Sequence, residues 1–218
     1  MIDTPMSTSG KRSSEVARDA ARRAGQVLMD RFHMDKEVSF KSRGNIVTDV
    51  DTLVEGEILE ILGREYPDMG ILAEESLGAR ADAGYVWIVD PLDGTRNYAS
   101  GIPFFSVVVG LALDGEVLIG VNYDPARDEM FEAEKGKGAF LNGRSIRISE
   151  KSSLEDCIIG MDLSYNNDGA INGLDVIRSI WPGMQTARIM GSSALGIAYA
   201  AAGRTDLYFH HQLEPWDQ

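Results

Sequence analysis

Six consecutive residues, Asp90-Pro91-Leu92-Asp93-Gly94-Thr95, bring two carboxylates, a fixed turn and a hydroxyl into one short span. The five residues before them, Tyr85-Val86-Trp87-Ile88-Val89, are all apolar. Such a run predicts a strand buried on both faces. Asp90 then stands at the carboxyl end of that strand, where ligand sites of sheet proteins gather. Pro91 fixes φ and removes a donor, so the chain turns sharply and aims Asp90 and Asp93 into one volume. Two such carboxylates repel, and a divalent cation removes the cost. Leu92 returns its side chain to the core with its carbonyl toward the ions. Gly94 lets a phosphate approach the backbone, and a helix begun at Thr95 points amides at an anion. The chemistry indicated is metal-assisted work on a phosphate. Taken alone, Asp-x-x-Asp-Gly-Thr equally suits a turn and a helix cap; the buried strand and acids elsewhere decide for a site.

Those other acids are Glu74-Glu75, after a short apolar run at 70–73, and Asp49 and Asp51, ahead of a helix. Asp51 has two readings: a cap, with Thr52 and Glu55 forming a capping box, or a proton acceptor from Thr95 or a water. Spacing does not separate them. Asp217 follows Trp216 near the end of the sequence. His33 reads as a solvated helix residue, and His210 and His211 as strand ends. Cys157, Trp87, Trp181 and the pair Phe104-Phe105 read as core.

The elements that must position these groups follow from periodicity. Residues 15–32 and about 51–66 have the apolar spacing of helices. Runs at 38–40, 70–73, 85–89, 104–113, 116–123, 129–134, 146–148, 158–163, 188–190 and 206–209 read as strands, and Asp114-Gly115 as a hairpin turn. Residues 171–180 and 193–202 read as further helices, the second rich in small residues. Residues 41–45 look like a mobile loop able to close over the site, and residues 1–14 like a disordered tail. The rest, 15–218, is one domain with two sub-halves, about 15–155 and 156–218. Interleaved helices and strands predict an α+β layered fold.

The formal net charge is −13, from 34 acids against 21 bases. That field repels nucleic-acid backbones and anionic membranes, so neither is expected as a partner. It also means that an anionic substrate needs bound metal between it and the protein. The single cysteine, Cys157, permits no internal disulfide and fits a cytoplasmic setting.

Glu74-Glu75-Ser76, Asp90-Pro91-Leu92-Asp93-Gly94-Thr95-Arg96-Asn97-Tyr98, Gly191-Ser192-Ser193-Ala194-Leu195 and Trp216-Asp217 occur in one order. Together they resemble the inositol monophosphatase family of Mg²⁺-dependent, lithium-sensitive phosphatases. The resemblance implies a layered α/β/α/β/α fold and two to three Mg²⁺ ions. Glu74, Asp90, Leu92 (by its carbonyl), Asp93 and Asp217 would hold metal. Asp51, Thr95 and Glu74 would be catalytic. Asp93, Gly94, Thr95, Ser192, Ser193 and His210 would line the substrate, a small phosphomonoester such as inositol monophosphate or fructose 1,6-bisphosphate. His210 stands where relatives that use inositol phosphate carry a Glu, which keeps 3′-phosphoadenosine 5′-phosphate and histidinol phosphate as alternatives. A homodimer is the family default. Family members continue past the position of Gln218 with a helix, a strand and a further helix. The expectation is therefore a chain lacking about one-sixth of a family domain, its last strand and helices missing, with weak activity or only a binding role.

Overall fold

The computed structural model describes residues 4–42, 45–76 and 84–218. A helix pair forms the first layer. α1 (Ser13–Arg31) buries Val16, Ala17, Ala20, Ala21, Ala24 and Leu28. Alanine on this face lets α1 lie close to its neighbours. Between the helices, β1 (Val38–Ser42) and β2 (Asn45–Thr48) pair as an antiparallel hairpin. α2 (Asp49–Glu65) then buries Val50, Val54, Ile58 and Leu62.

Both helices pack on a seven-stranded sheet. Its strands are β3 (Gly70–Ala73), β4 (Tyr85–Asp93), β5 (Ser106–Leu113), β6 (Glu116–Asp124), β7 (Glu129–Glu134), β8 (Gly138–Leu141) and β9 (Arg144–Ser145), side by side in sequence order. β3 and β4 are parallel, and every later pair is antiparallel. α3 (Thr95–Ala99) bridges β4 and β5. Asp114 and Gly115, both at positive φ (49° and 84°), make the tight β5–β6 turn that their types predict.

A smaller parallel sheet follows, with β10 (Ile158–Met161) between β11 (Thr186–Ile189) and β12 (Leu207–Phe209). α4 (Asn167–Ile180) joins β10 to β11, burying only Gly169 and Gly173. α5 (Ser193–Ala201) lies between the two sheets, touching β5 and β6 on one side and β10 and β12 on the other. Its small residues permit this: a Cβ on Gly196 would stand 2.2 Å from the Tyr208 ring. The α+β fold and its layering are as the sequence predicts. An apolar cavity of about 170 Å³ also lies between the large sheet, α5 and residues 215–218, lined by Ile119, Val121, Phe131, Ala198 and Trp216 among others.

Several local expectations are corrected. Residues 4–12 do not trail as a tail. Met6 bridges to Arg12, the Thr8 amide donates to the Glu65 carbonyl, and the Ser9 hydroxyl donates to Glu65 at 2.5 Å. Polar residues can be ordered without an apolar run when a helix terminus offers them partners. Residues 1–3 lie outside the described residues. Lys41 and Asn45, expected in a loop, are strand residues, while Arg43 and Gly44 lie outside the described set. Residues 146–148 form no strand; β9 ends at Ser145. Trp181 is 59% exposed, and Cys157 is half-buried beside a short 3₁₀ turn (Leu154–Asp156), so neither is core. His33 is exposed, but it lies past the end of α1 and stacks edge-on against Phe32. Trp87, Phe104 and Phe105 are buried, as expected.

Candidate active site

The end of β4 carries the site because its pairing slips. Asp90 lies opposite Val108 and Asp93 opposite Ser106, so three steps on β4 match two on β5. Side chains alternate along a regular strand, and residues three apart face opposite ways. The bulge at Pro91 cancels that alternation and turns both carboxylates to one side. Leu92 drops into the core between them, 1% exposed.

Asp217, in a short 3₁₀ turn (Pro215–Asp217) against the end of β4, supplies a third acid. One carboxylate oxygen each from Asp90, Asp93 and Asp217 lie within 4.8 Å of one another. Asp90 is 1% exposed, and the hydrogen bond recorded for its side chain comes from the Leu92 amide at 2.9 Å. Burial, and then the charges of Glu74, Asp93 and Asp217, hold its pKa well above the ordinary carboxylate range. Asp93 is pushed up to about 7, chiefly by burial, against donors that favour its charge. Those donors are the Ser192 hydroxyl and the amides of Ser193 (3.2 Å) and Ala194 (3.0 Å). Burial likewise lifts Asp217 to about 6, with the Glu214 amide opposing at 2.9 Å. Among the described residues no cationic side chain pairs with these three acids. Crowded, dehydrated carboxylates offering only oxygen suit a hard divalent cation. The donor set therefore fits a divalent cation of that kind.

Glu74 and Glu75 stand at the end of β3. Lys41, from the β1–β2 hairpin, reaches both, at 2.9 and 2.5 Å. Glu74 is thus near the cluster, acting electrostatically on Asp90 and Asp217, but held by Lys41 outside the group of three. Burial raises Glu75 to about 7, with Lys41 opposing.

Asp51 combines a capping contact with a hydrogen bond from Thr95. At the third position of α2 it accepts from the Thr48 amide (2.9 Å) and hydroxyl (2.5 Å), so the capping box is Thr48 with Asp51 and not Thr52 with Glu55. Its other oxygen faces the Thr95 hydroxyl at 3.0 Å. The same hydroxyl lies 3.0 Å from the Leu92 carbonyl. Burial raises the Asp51 pKa. Gly94, at φ 90°, packs too tightly for a side chain: a Cβ would meet the carbonyls of Gly191 and Phe104 at 3.1 Å.

Ser192 is buried, and its hydroxyl caps α5 and bonds Asp93, so its side chain aims Asp93. Ser193 presents its amide to Asp93. His210 is half-buried, and burial lowers its pKa; its Nδ1 accepts the Gln212 amide at 3.2 Å.

Three positioning residues escaped the sequence reading. Glu55, 3% exposed, accepts the Glu75 amide (2.8 Å) and the Ser76 hydroxyl (2.5 Å). Its signal was an acid beside Val54 on the apolar stripe of α2. Asn97 reaches the carbonyls of Phe104 and Met190, each at 2.7 Å, and so ties α3 to the turn before α5. Asp162 accepts the amides of Met190 (2.9 Å) and Gly191 (2.6 Å), fixing the same turn. Nothing in the sequence singled out the contacts of these last two.

Comparison with known proteins agrees with this geometry. Residues 11–218 match the inositol monophosphatase family. The chain is 38% identical to the Nus factor SuhB of Xylella fastidiosa over 203 residues and 38% identical to the inositol-1-monophosphatase of Mesorhizobium japonicum over 202. The Nus factor SuhB of Xylella fastidiosa aligns over 91% of this chain and 73% of its own length. The fructose-1,6-bisphosphatase/inositol-1-monophosphatase of Thermotoga maritima is 36% identical over 90% of this chain and 74% of its own. The crystal structure of the extragenic suppressor protein suhB from Bartonella henselae superposes with a TM-score of 0.88 at 37% identity, covering 94% of this chain and 80% of that one. With its fold, its acidic cluster and these likenesses in agreement, the chain belongs to the inositol monophosphatase family and is a phosphoric monoester hydrolase.

Proposed function

We propose that this protein hydrolyses a small polyol or sugar phosphate, inositol monophosphate or fructose 1,6-bisphosphate, with Mg²⁺. The observation that carries the reading is the convergence of Asp90, Asp93 and Asp217 beside the Thr95–Asp51 pair. Asp90, Asp93, Asp217, Glu74 and the Leu92 carbonyl would hold two to three ions. Bound there, Mg²⁺ supplies the positive charge that draws in the phosphate and makes a water nucleophilic. The chain's own residues handle the proton. Thr95 takes a proton from the attacking water as it passes its own to Asp51, so that the net transfer is from water to a dehydrated carboxylate that is a better base than an exposed one. Glu74 assists once Lys41 releases it. Asp93, Gly94, Thr95 and the Ser192-Ser193 turn shape the floor under the ester, and His210, held neutral by burial, offers a hydrogen bond to a substrate hydroxyl.

We read the protein as cytoplasmic and homodimeric. Among the described residues no helix is long and apolar enough to cross a membrane. The name of the Xylella fastidiosa relative, a Nus factor, favours a second reading in which a partner is bound. The net charge of −13 argues against direct contact with nucleic acid.

The test is phosphate release from inositol 1-phosphate, fructose 1,6-bisphosphate, 3′-phosphoadenosine 5′-phosphate and histidinol phosphate, with Mg²⁺ and with chelator. Mg²⁺-dependent turnover of one of the first two is the expected result. Asp90→Asn abolishes turnover in an enzyme and leaves partner capture intact in a binding protein. No turnover of any ester by folded protein overturns the phosphatase reading.

A further inference from the structure

We propose that Arg96, stacked on Tyr165 beside the acidic cluster, holds a second phosphate of the substrate, so that the preferred ester is a sugar or polyol bisphosphate. The proposal rests on the phosphatase reading above.

Arg96 follows Thr95 directly on α3, and its side chain is exposed. The guanidinium carbon stands 5.0 Å from the centroid of the Tyr165 ring, within cation–π range. Tyr165 is itself 56% exposed, in the segment between β10 and α4. It belongs to the neighbourhood of the site, because Asp93, Glu74 and Asp217 all act electrostatically on its hydroxyl.

Lys41 is held by Glu74 and Glu75, Arg31 by Asp49, Arg127 by Asp124 and Arg204 by Glu129. Arg96 forms no ion pair among the described residues, although it lies close to the densest group of carboxylates. Other cations, Arg22, Arg144 and Arg188 among them, also form no ion pair among the described residues; Arg96 differs from them in directly following Thr95 of the site. An aromatic face orients it without using its donors. A guanidinium held in that way keeps its planar fork for an incoming anion, and the fork matches phosphate. The scissile phosphate would be met by Thr95 and by the ions that Asp90, Asp93 and Asp217 would hold. Arg96 therefore serves a group further along the substrate.

The test uses the Mg²⁺-loaded protein and two esters with the same scissile bond, fructose 1,6-bisphosphate and fructose 1-phosphate. Wild type should favour the bisphosphate in kcat/KM. Arg96→Gln should lower the ratio of the two kcat/KM values about 10- to 100-fold, the loss of a charge-assisted hydrogen bond, through KM of the bisphosphate. Tyr165→Leu should lower the same ratio about 2- to 5-fold, the size of an exposed cation–π contact. Arg96→Lys should recover part of the loss. If wild type hydrolyses both esters and Arg96→Gln leaves their ratio unchanged, or lowers kcat for both alike, the second-phosphate role is overturned while the phosphatase reading stands. If wild type hydrolyses neither ester nor any other in the panel, both readings fall.

Discussion

Removing the Glu55 carboxylate should loosen the Glu74-Glu75 corner and weaken metal binding without touching a metal ligand. Glu55 is 3% exposed and takes two donors, the Glu75 amide at 2.8 Å and the Ser76 hydroxyl at 2.5 Å. Hydrogen bonds to a charged acceptor contribute about 1.5–3 kcal/mol each. Glu55→Ala forfeits both, but the hydroxyl can turn to water, so the net loss should be about 2–4 kcal/mol. For a chain of this size, about 1 kcal/mol moves Tm by roughly 2–4 °C, so a fall of roughly 5–15 °C should appear in calorimetry. Groups that orient metal ligands typically matter about 10- to 100-fold in affinity. Titration calorimetry with Mg²⁺ or Mn²⁺ should therefore show the Glu55→Ala affinity reduced by about that factor. Glu55→Gln is the control: its oxygen can accept the Glu75 amide while its amide group donates to Ser76, so affinity should fall by less than about 5-fold. Wild-type metal affinity in folded Glu55→Ala would refute the claim that this carboxylate positions the corner.

Asp51→Asn removes the proton acceptor for Thr95 while keeping its shape, and kcat should fall about 10²- to 10⁴-fold with KM little changed, measured by phosphate release. The pH dependence has a definite sign. Burial raises Asp51, Asp90, Asp93 (to about 7) and Asp217 (to about 6) above unfolded values near 4. A carboxylate with a raised folded pKa binds more protons folded than unfolded, so its contribution is full below about pH 4 and is lost as pH rises through the folded pKa, about 6 for Asp217 and about 7 for Asp93. Chelator-treated protein should thus melt lower at pH 8 than at pH 5, and Mg²⁺ should raise Tm more at pH 8; equal Tm gains at both pH values would contradict the crowded-carboxylate account. Gly94→Ala forces a side chain onto φ 90° against two carbonyls, and urea unfolding should show a loss of about 1–3 kcal/mol.

The sequence made the acidic motif legible because its members are local. Asp90, Asp93 and Thr95 lie within one turn, and the apolar strand before them needs no distant partner to be recognised. The helix pair was equally plain, since alanine and branched residues repeat with helical period along α1 and α2. What stayed hidden depended on register and on distant partners. The β4–β5 slip that turns Asp90 and Asp93 together is a property of pairing with Val108 and Ser106, not of Pro91 alone. Glu55 was read as a capping residue because local spacing allowed it, whereas its donors are 20 and 21 residues away. The order of residues 4–12 depends on the end of α2, more than 50 residues on. Polar residues whose partners are remote carry no periodic mark.

Asp93 also ties the chain to Ser192, Ser193 and Ala194 across separations of 99 to 101 residues. Those contacts have a kinetic meaning. Strands β3 to β9 pair with sequence neighbours, so their loops are short and the large sheet can zip from turn to turn. The link from Asp93 to α5 must instead close a loop of about a hundred residues, an entropic demand met late in folding. Catalytic competence is then acquired in the final docking of the small sheet onto the large one. The amide protons of Ser193 and Ala194 should exchange with solvent by reopening of that dock, faster than those at the centre of β5, which must await global unfolding. The active site is therefore expected to be among the last parts of the molecule to assemble.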